Sequence, residues 1–207
     1  MSLRMSALVY VEGETDVPVV SAVMRAAGWG GDEYMVFAKG GSRNVKKTLR
    51  EQAVKSSPVP RIFIIDADGH CPVELRRSLL PGGSVESVLL RVCDNEIESW
   101  ILADDRAFSR FFNMPLAKVE SPDGVDAKER MLRSVYRLRT SNAQDFAREP
   151  SKHSGKYRFG SRYHTLIRRF IDEEWDAQRA AQRSDSLKRA VQRLGELHDR
   201  FIGGELS

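Results

Sequence analysis

The sequence predicts an α/β fold, a parallel sheet flanked by helices, followed by a helical C-terminal extension. Three observations carry this expectation. Short, β-branched apolar runs alternate with helical patterns through the first half. The joining segments are short, so each helix must act as a right-handed crossover between parallel strands. No strand run is evident after Cys93, and after about Phe112 the pattern changes to helices. The implied division is 5–112 for the α/β domain and 113–207 for a basic, mostly helical extension packed on it.

Residues 7–12 read as the first strand, with Leu8-Val9-Tyr10-Val11 leading into Glu12-Gly13. A helix over 16–27 follows, because Val19, Val20, Val23 and Met24 recur at helical spacing and Gly28 ends it. Residues 34–38 form a short second strand. Gly40-Gly41 makes a turn, and Ser42 is the expected N-cap of a helix running to about Lys55. Ser57-Pro58-Val59-Pro60 breaks the chain before the third strand, Ile62-Phe63-Ile64-Ile65, which ends at Asp66. A helix over 73–80 stops at Pro81-Gly82-Gly83. Residues 85–93 are the fourth strand, with Cys93 in the core, and 96–103 a further helix. In the second half, 127–139 carries Met131, Leu132, Val135 and Leu138 on one face. Residues 142–160 are polar and basic and read as a long surface loop. Two helices close the chain, 162–181 and 184–201, the last with Leu187, Val191, Leu194 and Leu197 as an ordinary packing stripe.

The 207 residues are 41% hydrophobic and 30% charged, the balance of a globular protein. No apolar run approaches the roughly 18 residues of a membrane span, so no membrane association is expected. No secretory signal pattern is present. Cys71 and Cys93 form neither a metal-type spacing nor a disulfide framework, and a cytoplasmic location is expected. Net charge is +4, but it is uneven: between Lys128 and Arg169 there are twelve Lys or Arg against Glu129, Asp145 and Glu149. Such a segment is either a solvated surface or the contact for a polyanion, with nucleic acid first.

The stretch Phe63-Ile64-Ile65-Asp66-Ala67-Asp68-Gly69 is a buried strand ending in two carboxylates, where α/β proteins place their chemistry. Glu12 ends the first strand in the same way. Carboxylates pooled at one sheet edge suit Mg²⁺ or Mn²⁺, which accept oxygen ligands and keep several waters. The competing reading of Asp66-Ala67-Asp68-Gly69 is an Asx-turn without function. Glu12 is a candidate general acid/base or metal ligand. Asp16 either caps the following helix or faces the same pocket. Of Glu96 and Glu98, two positions apart, one is expected to complete the metal site and the other to cap a helix or pair with Lys39. Lys39-Gly40-Gly41-Ser42-Arg43 offers backbone N–H groups and positive charge to a phosphate, with Lys46 on the helix that follows. The P-loop spacing is absent, so no ATPase activity is expected.

The set Glu12-Gly13-x-x-Asp16, Lys39-Gly40-Gly41, Asp66-Ala67-Asp68-Gly69 and Glu96-x-Glu98-x-Trp100-x-Leu102-Ala103-Asp104 resembles the Toprim domain over about 7–104. It is most similar to the Toprim of OLD-type nucleases and to small stand-alone Toprim-like proteins near bacterial defence genes. Lys128-Glu129 falls where such proteins often carry a Lys-Glu pair. The resemblance implies a Rossmann-like sheet, Glu12 as general acid/base, Asp66 and Asp68 as Mg²⁺ ligands, and Asp16 as a second-metal ligand. No P-loop ATPase precedes these motifs, unlike in full OLD proteins, and no topoisomerase tyrosine can be assigned.

The expected function is therefore Mg²⁺-dependent cleavage of phosphodiesters in nucleic acid. Glu12 and Lys39 are the expected catalytic groups. Glu12, Asp66, Asp68, Asp16 and Glu96 are the expected metal ligands. Gly40, Gly41, Ser42, Arg43, Lys46, Lys128, Arg158 and Arg162 are expected to hold phosphate. The alternative is a non-catalytic nucleic-acid-binding or regulatory partner of a separate ATPase in a defence or repair system.

Overall fold

The computed structural model of the protein describes residues 6–205. Met5, where the expected α/β half begins, and positions 206 and 207 lie outside them. Four strands form one parallel sheet in the order β2-β1-β3-β4: β1 (Ala7–Val11), β2 (Tyr34–Ala38), β3 (Arg61–Asp66) and β4 (Val88–Cys93). Helices α1 (Asp16–Ala26), α2 (Ser42–Gln52) and α3 (Pro72–Leu79) are the crossovers. The α/β expectation, with its helical C-terminal portion, holds.

The sheet has helices on both faces because its central strands are apolar on both. Phe63 and Ile65 of β3 and Leu90 of β4 pack with Val45 and Leu49 of α2 and Leu79 of α3. Val9 and Val11 of β1 and Ile62 and Ile64 of β3 face α1. Residues from the second half join that same core: Met131, Phe146, Ile167, Phe170 and Leu194. They come from α6 (Ala127–Tyr136), α7 (Ser141–Phe146), α8 (Tyr163–Glu173) and α10 (Asp185–Ile202); α4 (Glu98–Ala103), α5 (Asp105–Phe111) and α9 (Ala177–Ala181) contribute to the same core. The apolar core therefore runs across residue 112 without interruption.

The chain leaves β1 toward β2 on one side and β3 toward β4 on the other. Adjacent strands with oppositely directed connections form a topological switch point, and a crevice opens beyond their C-terminal ends. Glu12 and Asp66 are the residues at those two ends.

The structure corrects several sequence expectations. Ser42 is the first helical residue, not the N-cap; Gly41 takes that place at φ +119°, a conformation glycine reaches without strain. The expected loop 142–160 contains α7 and a small antiparallel hairpin, β5 (Ala147–Arg148) with β6 (Arg158–Phe159), so strands do occur after Cys93. Only Ala143 and Phe146 of α7 are buried, too few to register as helical periodicity. The single helix expected over 162–181 is two. The backbone N–H of Asp176 is held by the Asp104 carboxylate at 2.9 Å, which breaks the helix between Glu173 and Ala177.

Candidate functional site

Four acids from four places meet at the switch point. Glu12 follows β1, Asp16 opens α1, Asp66 ends β3 and Glu98 opens α4. Each has a local anchor. The Asp66 N–H donates to Glu12 Oε1 at 3.2 Å. The Ile97 N–H donates to Asp66 Oδ1 at 2.9 Å, and the Gly13 N–H to Asp16 Oδ2 at 2.8 Å. Glu98 is 2% exposed; its Oε1 is paired with Lys128 Nζ at 3.2 Å and accepts from the Tyr163 hydroxyl at 3.4 Å. Its Oε2 is buried with no hydrogen-bond partner.

Burial and mutual repulsion oppose ionisation here. Burial pushes Asp66 well above the usual carboxylate range, and Glu98, Asp16 and Glu12 add repulsion that Lys128 offsets in part. Burial likewise raises Glu98, to about 7, against the pull of Lys128. Glu12 and Asp16 are raised by burial too; the Asp66 N–H lowers Glu12 in part, and Asp68 pushes it up. Burial disfavours the Lys128 ammonium, but attraction to Glu98, Glu96 and Asp66 outweighs it, so its pKa rises. The site is thus a partly desolvated carboxylate group around a single close lysine.

Asp68 sits in the turn after β3 at φ +49°, its N–H bonded to the Asn95 carbonyl at 3.0 Å, and its side chain is exposed. It reaches Glu12 electrostatically. Glu96 does something different from Glu98: its Oε2 accepts the Lys128 N–H at 2.8 Å, at the start of α6. Glu98 therefore occupies the carboxylate group and Glu96 stands behind Lys128. The alternative pairing of one glutamate with Lys39 is not what forms: Glu98 pairs with Lys128, while the Lys39 ammonium lies 5.7 Å from the centre of the Tyr10 ring.

Gly40 and Gly41 both hold positive φ, and the Gly41 N–H donates to the Glu12 carbonyl at 2.8 Å, tying this turn to the acidic loop. Ser42 Oγ is buried without a partner, and Lys46 exerts an attractive pull on Glu12. Arg43 is exposed at the start of α2. Arg158 and Arg162 lie in the hairpin region, paired with Glu149 at 3.1 Å and Asp145 at 3.5 Å. These are exposed pairs that a stronger anion can displace. Sequence reasoning did not assign a role to Tyr163, whose partner Glu98 is distant in the chain. The signal that separates Glu98 from Glu96 is its place among apolar residues, after Ile97 and before Trp100, Ile101 and Leu102.

Among the described residues no group of three or more His, Cys, Asp or Glu side chains forms a ready-made ligand set. The donor chemistry nonetheless suits a hard divalent ion. The donors are all carboxylate oxygens, one of them orphaned, and Mg²⁺ needs only one or two protein carboxylates besides water and substrate. No family model, curated protein or solved structure matches the chain.

Proposed function

We propose that the protein is a Mg²⁺- or Mn²⁺-dependent phosphodiester-cleaving enzyme acting on nucleic acid. One observation carries the reading: Glu12, Asp16, Asp66 and Glu98 are gathered at the switch point of the sheet, where the other three oppose the ionisation of Asp66. An arrangement that disfavours its own ionisation gains by receiving a cation, and perturbed groups of this kind cluster at functional sites. Asp66 and Glu12, with Asp16 and Asp68 beside them, would hold the ion. A bound divalent ion supplies charge stabilisation at the phosphoryl oxygens and lowers the barrier to attack by water.

The chain's own residues divide the remaining work. Glu12 is raised in pKa and only half-buried, so it can exchange a proton with the attacking or leaving oxygen. Lys39 and Lys46 present positive charge to the phosphate beside the Gly40-Gly41 turn, whose Gly41 N–H is held by the Glu12 carbonyl. Lys128, paired with Glu98, which also accepts from the Tyr163 hydroxyl, keeps a positive charge beside the carboxylates. Arg43, Arg158 and Arg162 contribute sequence-independent backbone contact.

Cleavage of labelled single- and double-stranded DNA and RNA, with Mg²⁺ or Mn²⁺ and then with EDTA, tests this. Glu12→Gln and Asp66→Asn should each reduce metal-dependent cleavage by about 10²–10⁴-fold with the fold retained. Equal cleavage by wild type and both variants would sink the reading.

A second reading is favoured by a specific feature: Glu12, Asp16 and Asp66 each already bind a backbone N–H. Carboxylates so used suit a structural acidic site in a nucleic-acid-binding or regulatory partner of a separate ATPase. Metal binding too weak to register by calorimetry, with nucleic-acid binding intact, would favour it.

A further inference from the structure

The open edge of the sheet carries a second charged concavity. A cleft of about 440 Å³ lies where α3, β4 and α10 meet. Its wall is aliphatic, from Pro72 and Val73 of α3 and Leu90 and Val92 of β4. Val73 is 57% exposed and Pro72 and Val92 are half-buried, whereas Leu90 is in the core, so the uncovered apolar surface is Val73 with the flanks of Pro72 and Val92. Arg76 of α3, Arg91 of β4 and Arg189 of α10 also line it.

Among the described residues none of these three arginines forms an ion pair; those pairs involve other residues. Arg91 is half-buried and its Nε is buried with no hydrogen-bond partner. Arg193, one turn along α10, adds positive charge toward Arg91, although its own guanidinium binds Glu196 at 2.7 Å. Burial and repulsion from Arg76, Arg189 and Arg193 all lower the Arg91 pKa. The one acid in the lining, Asp94, is exposed at the strand's end.

Charges on an edge strand often serve only to block pairing with another sheet. A blocking charge points into water. Arg91 instead keeps a donor buried and unmade beside other unpaired guanidiniums, an arrangement that an anion relieves. Guanidinium forks match phosphate oxygens in pairs. A cleft of this size is in the range of small-molecule sites. The aliphatic wall calls for a ligand with a flat apolar body as well as a charge.

We infer that the α3–β4–α10 cleft is a nucleotide-binding site, with Arg76, Arg91 and Arg189 on the phosphate and the base against Pro72, Val73 and Val92. The nucleotide is either free or a unit of a single strand. The site is separate from the carboxylate group, so its test needs neither metal nor cleavage.

The full chain is titrated in EDTA with adenosine monophosphate, with adenosine, and with a single-stranded oligonucleotide, by calorimetry. Adenosine monophosphate should bind, and adenosine should bind at least ten-fold more weakly. Arg91→Gln and Arg189→Gln should each weaken the monophosphate about ten-fold, as expected for losing one charged hydrogen bond. Arg189 is exposed, so its variant keeps the fold even if Arg91→Gln does not. Binding of the monophosphate in EDTA, where the carboxylate group can hold no metal, separates this site from that group. A loss seen with both the monophosphate and the oligonucleotide identifies the free nucleotide as sufficient, and a loss confined to the oligonucleotide identifies the strand as the ligand. Unchanged binding of both ligands by both arginine variants overturns the inference. So does an equal loss in Lys188→Gln, which removes an exposed charge from the same helix outside the cleft.

Discussion

At Glu98, burial and charge pull against each other. The side chain is 2% exposed, paired with Lys128 and bonded to Tyr163, yet its pKa is raised to about 7. A carboxyl raised in the folded state binds its proton more tightly there than in the unfolded chain. Its contribution therefore favours folding below the unfolded pKa and is lost as pH rises through the folded value. Between about pH 4.5 and about pH 7 the metal-free protein should lose on the order of 3 kcal/mol from this group, and Asp66 shifts in the same direction. Denaturant titrations across that window should show the fall, and Glu98→Gln should flatten it. An unchanged pH slope in Glu98→Gln would show that the group does not carry the effect. Divalent metal should reduce the fall at the upper end, because it compensates the ionised carboxylates.

Among the elements, the join of α5 to α9 shows how one buried acid organises helix ends. Asp104 is 1% exposed, and its carboxylate does three jobs. It accepts the Ala107 N–H at 3.4 Å as the cap of α5, and the Asp176 N–H at 2.9 Å ahead of α9. It also takes both arms of Arg179, Nε at 2.7 Å and Nη2 at 2.5 Å. Asp104 is buried while the Arg179 side chain is 40% exposed, so the cost of breaking the pair lies mainly in the bidentate bond and in the N–H groups left without an acceptor. Asp104→Ala should destabilise the protein by about 2–3 kcal/mol in urea unfolding, leaving two helix N-termini without their acceptor while the half-exposed Arg179 turns to water. A loss under about 1 kcal/mol, the range of an exposed pair, would refute that account. The sequence offers Asp104 as the last residue of a helical signature. Its two partners lie more than seventy positions away, and only packing reveals them.

At the scale of the whole molecule, the core joins both halves of the chain. Trp29, after α1, donates its indole N–H to the Leu194 carbonyl of α10 at 3.1 Å, and its ring lies 4.9 Å from that of His198. Trp100 bonds Ser186 Oγ at 3.2 Å, and that oxygen also accepts the Asp94 N–H just beyond β4. Removing the second half would expose the α1 face of the sheet and these buried indoles. Far-ultraviolet circular dichroism and tryptophan fluorescence should therefore report one coincident denaturant transition. A fragment of residues 6–112 should not fold cooperatively. Two separated transitions would mean that the halves are independent units.

The sequence by itself determined the α/β order, the strand cores and the strand-end acids. These are local properties: apolar runs, glycine turns and the alternation of two periods. Glu12 and Asp66 were legible because each directly follows an apolar strand, and a parallel sheet brings those ends to one edge. Only the tertiary structure decided between Glu98 and Glu96, because their difference lies in what each side chain meets. Glu98 meets Lys128, Tyr163 and the Asp66 field, whereas Glu96 meets a helix N-terminus. The same holds for the α7–hairpin segment, where two buried apolar side chains and a few distant ring contacts leave no periodic trace. It holds equally for the arginines of the β4 edge, which are scattered in the chain and meet at one cleft because α3 and α10 pack beside the same strand.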